Sequence, residues 1–195
     1  MRKNLVGAAL AVLTAGTVLA ACGGSTGHDT GSTHTTTTTA PSSDRNDADI
    51  AFAQGMIPHH VGALDMSKLA QGRTSNPKVL DLAKRIEQAQ DPEIKVMTEW
   101  LKAWGAAPTP EHGGHGTTTG HGMDAADLEK LAQAKDTDFD RLFLELMIKH
   151  HQGAVDMSNT ELRQGHNAGA KELARRIIDA QQAEIEEMKG LLPPG

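Results

Sequence analysis

The chain has 195 residues and a formal net charge of −6, with 19 Lys and Arg against 25 Asp and Glu. No basic cluster lies beyond the N-terminal leader, which excludes nucleic acid as a partner and electrostatic adhesion to a membrane. Tyrosine is absent, aromatics make up 3% and there is one cysteine. The core must therefore be built from Leu, Ile, Val, Ala and Met, with no internal disulfide.

Residues 1–21 read as a leader. Arg2 and Lys3 precede a short apolar run, Leu5 to Leu19, and "LAAC" follows at 19–22. The run is too short and wrongly flanked to span a membrane, so it is a secretory signal. "LAAC" resembles the bacterial lipobox. That resemblance implies cleavage before Cys22 and lipid attachment there, with the protein exported and anchored to the outer face of the cell membrane. An ordinary signal peptide with a chance cysteine is the plainer alternative. Residues 22–46 are Gly, Ser and Thr without apolar period and form a flexible tether.

Residues 47–195 form one domain. A first helix is predicted from Asp47, as N-cap, to Gln71, with Gly72 as its stop. A second opens at Asn76–Pro77 and ends near Trp104, completing a hairpin over 47–104. A Gly/His/Thr-rich linker covers 105–123, with His112, His115 and His121. These and the tether's His28 and His34 could capture metal weakly; a plain linker reads equally well. A short helix, Ala125–Ala134, precedes a second hairpin with helices Thr137–Gln164 and Asn167–Leu192. Pro58 and Pro92 lie inside the first hairpin's helices and should kink or loosen them.

Residues 52–101 align without gaps on residues 143–192, and 21 of the 50 positions are identical. The chain is a duplicated helical hairpin, whose simplest closure is an all-α antiparallel four-helix bundle.

At 100° per residue, Phe52, Met56, His59, Ala63 and Met66 share one face, and His60 falls at its edge. On the second helix, Glu93 falls among Leu82, Ile86 and Met97, with Gln90 at the margin. The second half repeats this with Met147, His150, His151, Met157, Gln181, Glu184 and Met188. Burying such polar groups without partners costs several kcal/mol each, so a side chain or a metal ion must answer them. Folding each hairpin about its turn sets Met56 against Glu93 and His59 against Gln90, and likewise Met147 against Glu184 and His150 against Gln181.

Of eight methionines, six form three repeat-related pairs: 56/147, 66/157 and 97/188. Methionine is normally replaceable core filler, so retention at both copies implicates the sulfur. Thioether with imidazole and no thiolate suits copper, above all Cu(I). The expected inner set is Met56, His59, Met147 and His150, with Met66, Met97, Met157 and Met188 as further candidates. Glu93 and Glu184 are ligands or partners that orient a histidine ring, and Gln90 and Gln181 support from behind. His60 and His151 are rim ligands or bond a neighbouring helix. The rival is a metal-free envelope structural or interaction protein whose buried His/Glu/Gln layer fixes register.

"FAQGMIPHHVGALDMS", "FDRLFLELMIKHHQGAVDMS" and the later "AQ..EI..M" pattern resemble the bacterial domain-of-unknown-function family three hundred and five. The resemblance implies a ferritin-like helical bundle, usually exported and often lipid-anchored, with some members associated with copper. It implies no enzymatic activity. Di-iron chemistry needs Glu-x-x-His pairs, and neither His pair has a Glu three residues before it. Ser–His–Asp or cysteine nucleophile chemistry has no support either, since Cys22 is claimed by lipid. The reading is a copper-binding protein for sequestration or transfer rather than an enzyme; a metal-dependent redox role is the lesser alternative. The physiological delivery partner is not named by the sequence.

Overall fold

The computed structural model describes residues 44–107 and 124–192. Cys22, the histidines of the tether and linker, and Met123 lie outside the described residues. Five helices follow one another: α1 (Asp47–Leu69), α2 (Pro77–Ala103), α3 (Ala125–Gln133), α4 (Asp136–Gln164) and α5 (Ala168–Leu191). No strand occurs among the described residues, and no helix there is long and apolar enough to cross a membrane.

The helix starts are written in side chains. The N-cap of α1 is Asn46, not Asp47. Its side chain accepts from the N–H of Ala48 and Asp49 while Asp49 accepts from the N–H of Asn46, a reciprocal capping box. Asp47 instead sits in the first helical turn, where its charge complements the helix dipole. Asn76 and Asn167, equivalent in the repeat, cap α2 and α5. Asp124 caps α3. No side chain caps α4; its first residue, Asp136, takes φ 50° and gives its N–H to the Arg73 carbonyl at 2.6 Å. Gly72 (φ 79°) and Gly105 (φ 66°) turn the chain after α1 and α2, in a region that favours glycine. Neither Pro58 nor Pro92 ends its helix.

α1 pairs with α2, α4 with α5, and α1 with α4 across the middle. All three pairings are antiparallel. His60 meets Glu93 and His151 meets Glu184 within the hairpins. Between α1 and α4, Gly55 abuts Met157, His59 abuts Gly153 and Gly62 abuts His150, one chain ascending as the other descends. The result is the expected four-helix bundle, with α3 added at one end, where its Leu131 is fully buried with Phe139 and Phe143.

The apolar core falls into two clusters. One gathers Met66, Leu82, Ile86, Phe143, Met147 and Met188. The other gathers Phe52, Met56, Met97, Leu101, Leu173 and Ile177, with Met157 packed against it. The histidines occupy the level between them.

Candidate metal centre

Four histidines meet in the middle of the bundle, all of them buried. The His59 and His150 rings lie 3.6 Å apart between centroids, tilted by 40°. They come this close because each ring tip points at a glycine of the opposite helix. A Cβ on Gly153 would sit 3.1 Å from His59 Nε2, and one on Gly62 would sit 3.2 Å from His150 Nε2. Gly62 and Gly153 are repeat equivalents. The sequence reading passed over them, although a glycine kept at both copies inside a helix, where it costs about 1 kcal/mol, was a usable signal.

His60 and His151 do not sit at a rim. Both are fully buried, more so than His59 and His150. Each donates from Nε2 to a carboxylate, His60 to Glu93 Oε2 and His151 to Glu184 Oε2, both at 2.7 Å. In the neutral tautomer this leaves a lone pair on Nδ1. Neither Nδ1 has a hydrogen-bond partner among the described residues. The carboxylate behind the ring is the arrangement that fixes tautomer and raises ligand basicity in metal-binding histidines. Glu93 and Glu184 are only partly exposed, at 22% and 15% of their side chains, so the pairs are shielded from bulk water.

The hairpin register differs from the sequence expectation by about one helical turn. Glu93 bonds His60 and does not face Met56; Glu184 bonds His151 and does not face Met147. Side chains lean toward the N-terminus of their own helix, so in an antiparallel hairpin the residues whose side chains meet carry higher numbers than those at one backbone level. Met56 and Met147, expected to join one ion with His59 and His150, fall in different apolar clusters on opposite sides of the ring pair.

Gln90 and Gln181 are buried, with Gln90 Oε1 and Nε2 and Gln181 Oε1 unpartnered among the described residues. An unsatisfied buried polar group costs about 1–3 kcal/mol, so the layer carries a cost that folding alone does not explain. His150 shows the cause in its own proton affinity. Burial first, then the charges His151 and His60 would carry, push it down to about 3. Its imidazole is neutral at ordinary pH, the form that binds metal. Among the described residues no group of three or more His, Cys, Asp or Glu side chains is placed to hold a metal ion. All six paired methionines lie in or against the two clusters, and five of them are fully buried.

The fold and this layer define a class: a duplicated four-helix bundle with a buried band of histidine, glutamate and methionine. The family model described as "Domain of unknown function (DUF305)" matches residues 49–192, and the chain belongs to that family. Among solved structures, a DUF305 protein from Streptomyces coelicolor, described as secreted, is 29% identical; the match covers 74% of this chain and 91% of that one, with a TM-score of 0.68. CopM in its Cu(II)-bound form is 37% identical over 73% of this chain and 94% of its own, with a TM-score of 0.63. CopM in its Cu(I)-bound form is 35% identical over the same shares, with a TM-score of 0.62. No curated protein matches the chain by sequence.

Proposed function

We propose that this domain binds copper, foremost as Cu(I), and serves sequestration or transfer of the metal. The observation that carries the reading is the pair of buried imidazoles, His60 and His151, each held by a carboxylate at 2.7 Å and each with an unpartnered Nδ1. Neutral imidazole and thioether donors fit a soft monovalent ion, since a divalent one would bring more uncompensated charge into the core. That CopM, a similar protein, has Cu(I)-, Cu(II)- and Ag-bound forms supports the assignment.

The leader and the "LAAC" sequence support an exported setting with the chain tethered through lipid on Cys22. There the lipid anchors, residues 22–46 give reach, and the helical domain handles the metal. When bound, copper supplies only a soft cation. The protein supplies orientation through Glu93 and Glu184, exclusion of water through the two clusters, and a neutral imidazole at His150 through burial.

The rival reading, a metal-free structural layer, has one observation in its favour: the two His–Glu pairs satisfy one nitrogen of each ring without any ion. It leaves the second nitrogens and the Gln90 amide unexplained. Anaerobic Cu(I) titration with a competing chelator separates the two. The native chain should bind at micromolar concentrations or tighter. A His60→Ala/His151→Ala double variant, shown folded by circular dichroism, should lose at least tenfold in affinity. Equal binding by the folded variant would remove the reading.

A further inference from the structure

We infer that the start of α1 is fastened to the α4–α5 turn by a proton-operated clasp, closed by one proton shared between Glu161 and Asp49 and loosened when that proton leaves. The clasp lies at one end of the bundle, away from the histidines, and needs no metal.

The residues ahead of α1 meet the end of α4 and the start of α5. Asn46 gives its side-chain amide to the Gln164 carbonyl at 2.8 Å, and Asn167 gives its own to the Asp44 carbonyl at 2.9 Å. The two straps run in opposite directions and tie the segments together. Asp49 sits between them. Its Oδ1 accepts from the N–H of His166 at 3.0 Å and of Asn167 at 2.8 Å, and its Oδ2 accepts from the N–H of Asn46 at 2.5 Å. One carboxylate therefore closes the capping box of α1 and holds the α4–α5 turn. Glu161 reaches the same point from α4. It is 1% exposed and faces Asp49, and neither of its oxygens has another partner among the described residues. Gly165 makes the room: its φ of −66° suits any residue, but a Cβ there would collide with Glu161 Oε1.

Two buried carboxyls side by side share a proton, because a second negative charge there is neither hydrated nor paired. Helix position says which one carries it. Asp49 lies in the first turn of α1, where the dipole and the three N–H donors favour the anion. Glu161 lies in the last turn of α4, where the dipole opposes it. Burial first, and Asp49 second, accordingly push Glu161 up to about 8. Among the described residues Lys171 on α5 is the cation that opposes this, and its ammonium is given to the Gly165 carbonyl at 3.1 Å. His166 in the turn is exposed and faces Asp44 at 3.6 Å, while Arg45 donates to the Trp104 carbonyl at 2.7 Å. Once Glu161 ionises, two adjacent carboxylates are shut away from water, and parting the segments relieves them. The first hairpin has Ala70 at the equivalent position, so only one end of the bundle carries this device.

Amide hydrogen exchange of the metal-free chain from pH 5 to pH 9, corrected for the intrinsic rate, tests this. The His166 and Asn167 amides should be less protected than those of Ile86 and Ile177 in the core. They should lose protection by up to about tenfold per pH unit as pH rises, levelling off above pH 8, because the opened clasp releases its proton near 4.5. The Lys78 and Asp136 amides, bonded at the opposite end of the bundle, should show no such slope. Carbon-13 NMR should place the titration of the Glu161 carboxyl near 8. Glu161→Gln, whose amide can donate to Asp49 at every pH, should remove the pH dependence at the clasp. Titration of Glu161 near 4.5 would overturn the inference. So would an unchanged pH dependence in folded Glu161→Gln. Clasp amides that match Ile86 and Ile177 in both level and slope would overturn it too, since the segments would then part only when the whole bundle unfolds.

Discussion

In the first hairpin His60 is buried against Glu93, and in the second His151 is buried against Glu184, at the same 2.7 Å. Two turns along, the halves no longer match. The first hairpin has Ser67, Ala70, Leu80 and Ala83 around an open cleft of about 670 Å³. The equivalent positions in the second hairpin carry Ser158, Glu161, Lys171 and Ala174. Glu161 is buried there and faces Asp49, which is also fully buried and accepts from the N–H of Asn46, His166 and Asn167. Burial alone would raise Asp49, but these three N–H donors together with the Glu161 side chain outweigh it and bring its carboxyl below the usual range. Asp140, the repeat equivalent of Asp49, accepts the Asn76 side-chain amide alone among the described residues, at 2.8 Å. Duplication left two identical copies; the middle was held and the ends were free to change. Holding the middle in both copies is what a shared site requires, whereas each end answers only to local packing.

The largest effect should come from the changed end. Burial first, and the Asp49 carboxylate second, push Glu161 up to about 8, against a weaker opposing pull from Lys171. The native state then keeps a proton on Glu161 that the unfolded chain releases near pH 4.5. Stability from this group is complete below that pH and is lost as pH rises toward 8, at a slope approaching about 1.4 kcal/mol per pH unit. Glu161→Gln keeps the shape and removes the proton. Urea denaturation from pH 4 to pH 9 should show the variant overtaking the native chain as pH rises. Parallel curves would mean that Glu161 does not titrate in this window. No such slope should arise in the first hairpin, where Ala70 stands in its place.

A middling effect should come from the conserved centre, and it should be symmetric. Glu93→Ala and Glu184→Ala each leave a buried imidazole nitrogen without its acceptor. Each should cost about 1–3 kcal/mol, measured by thermal melting of metal-free protein, and the two costs should agree within about 0.5 kcal/mol. Clearly unequal costs would show that the pseudo-twofold of the backbone does not extend to the energetics.

Much of this was legible in the sequence, and for a physical reason. An ungapped duplication states each helix twice, so the helices, their order and the inward placing of His59 and His150 followed from period alone, whereas Glu93 and Glu184, expected in mid-stripe, are half-buried, and Gln90 and Gln181, expected at its margin, are buried. The depth of His60 did not. A 100° projection places a side chain by angle, but burial also depends on what the neighbouring helix offers, and Glu93 draws His60 inward. Pairing across the hairpin failed by about a turn because it equated backbone level with side-chain contact, whereas side chains on antiparallel helices lean in opposite directions, each toward its own N-terminus. The close approach of His59 to His150 was not legible, because it depends on Gly62 and Gly153 lying across from the rings, a contact between halves rather than within one. Asp49 with Glu161 was hidden for the same reason.

The smallest expected effect tests the surface in the same way. Arg85 on α2 pairs with Asp81 on its own helix at 2.9 Å and with Glu187 on α5 at 2.6 Å. The equivalent positions are Arg176 on α5 and Val96 on α2, so the cross-helix pair exists in one direction only. Arg85 and Glu187 are each 40% exposed, where solvent and salt screen most of the attraction. Arg85→Ala should cost only about 0.5 kcal/mol, and less in high salt. Val96, 39% exposed, should accept Glu without disturbing the core. Placed opposite Arg176 by the pseudo-twofold, Val96→Glu should recover a similar increment in the Arg85→Ala background. Chemical denaturation of the single and double variants at two urea-compatible salt concentrations checks this. A gain that ignores salt, or a loss where the symmetric pair should form, would show that the repeat axis does not relate the outer faces of α2 and α5.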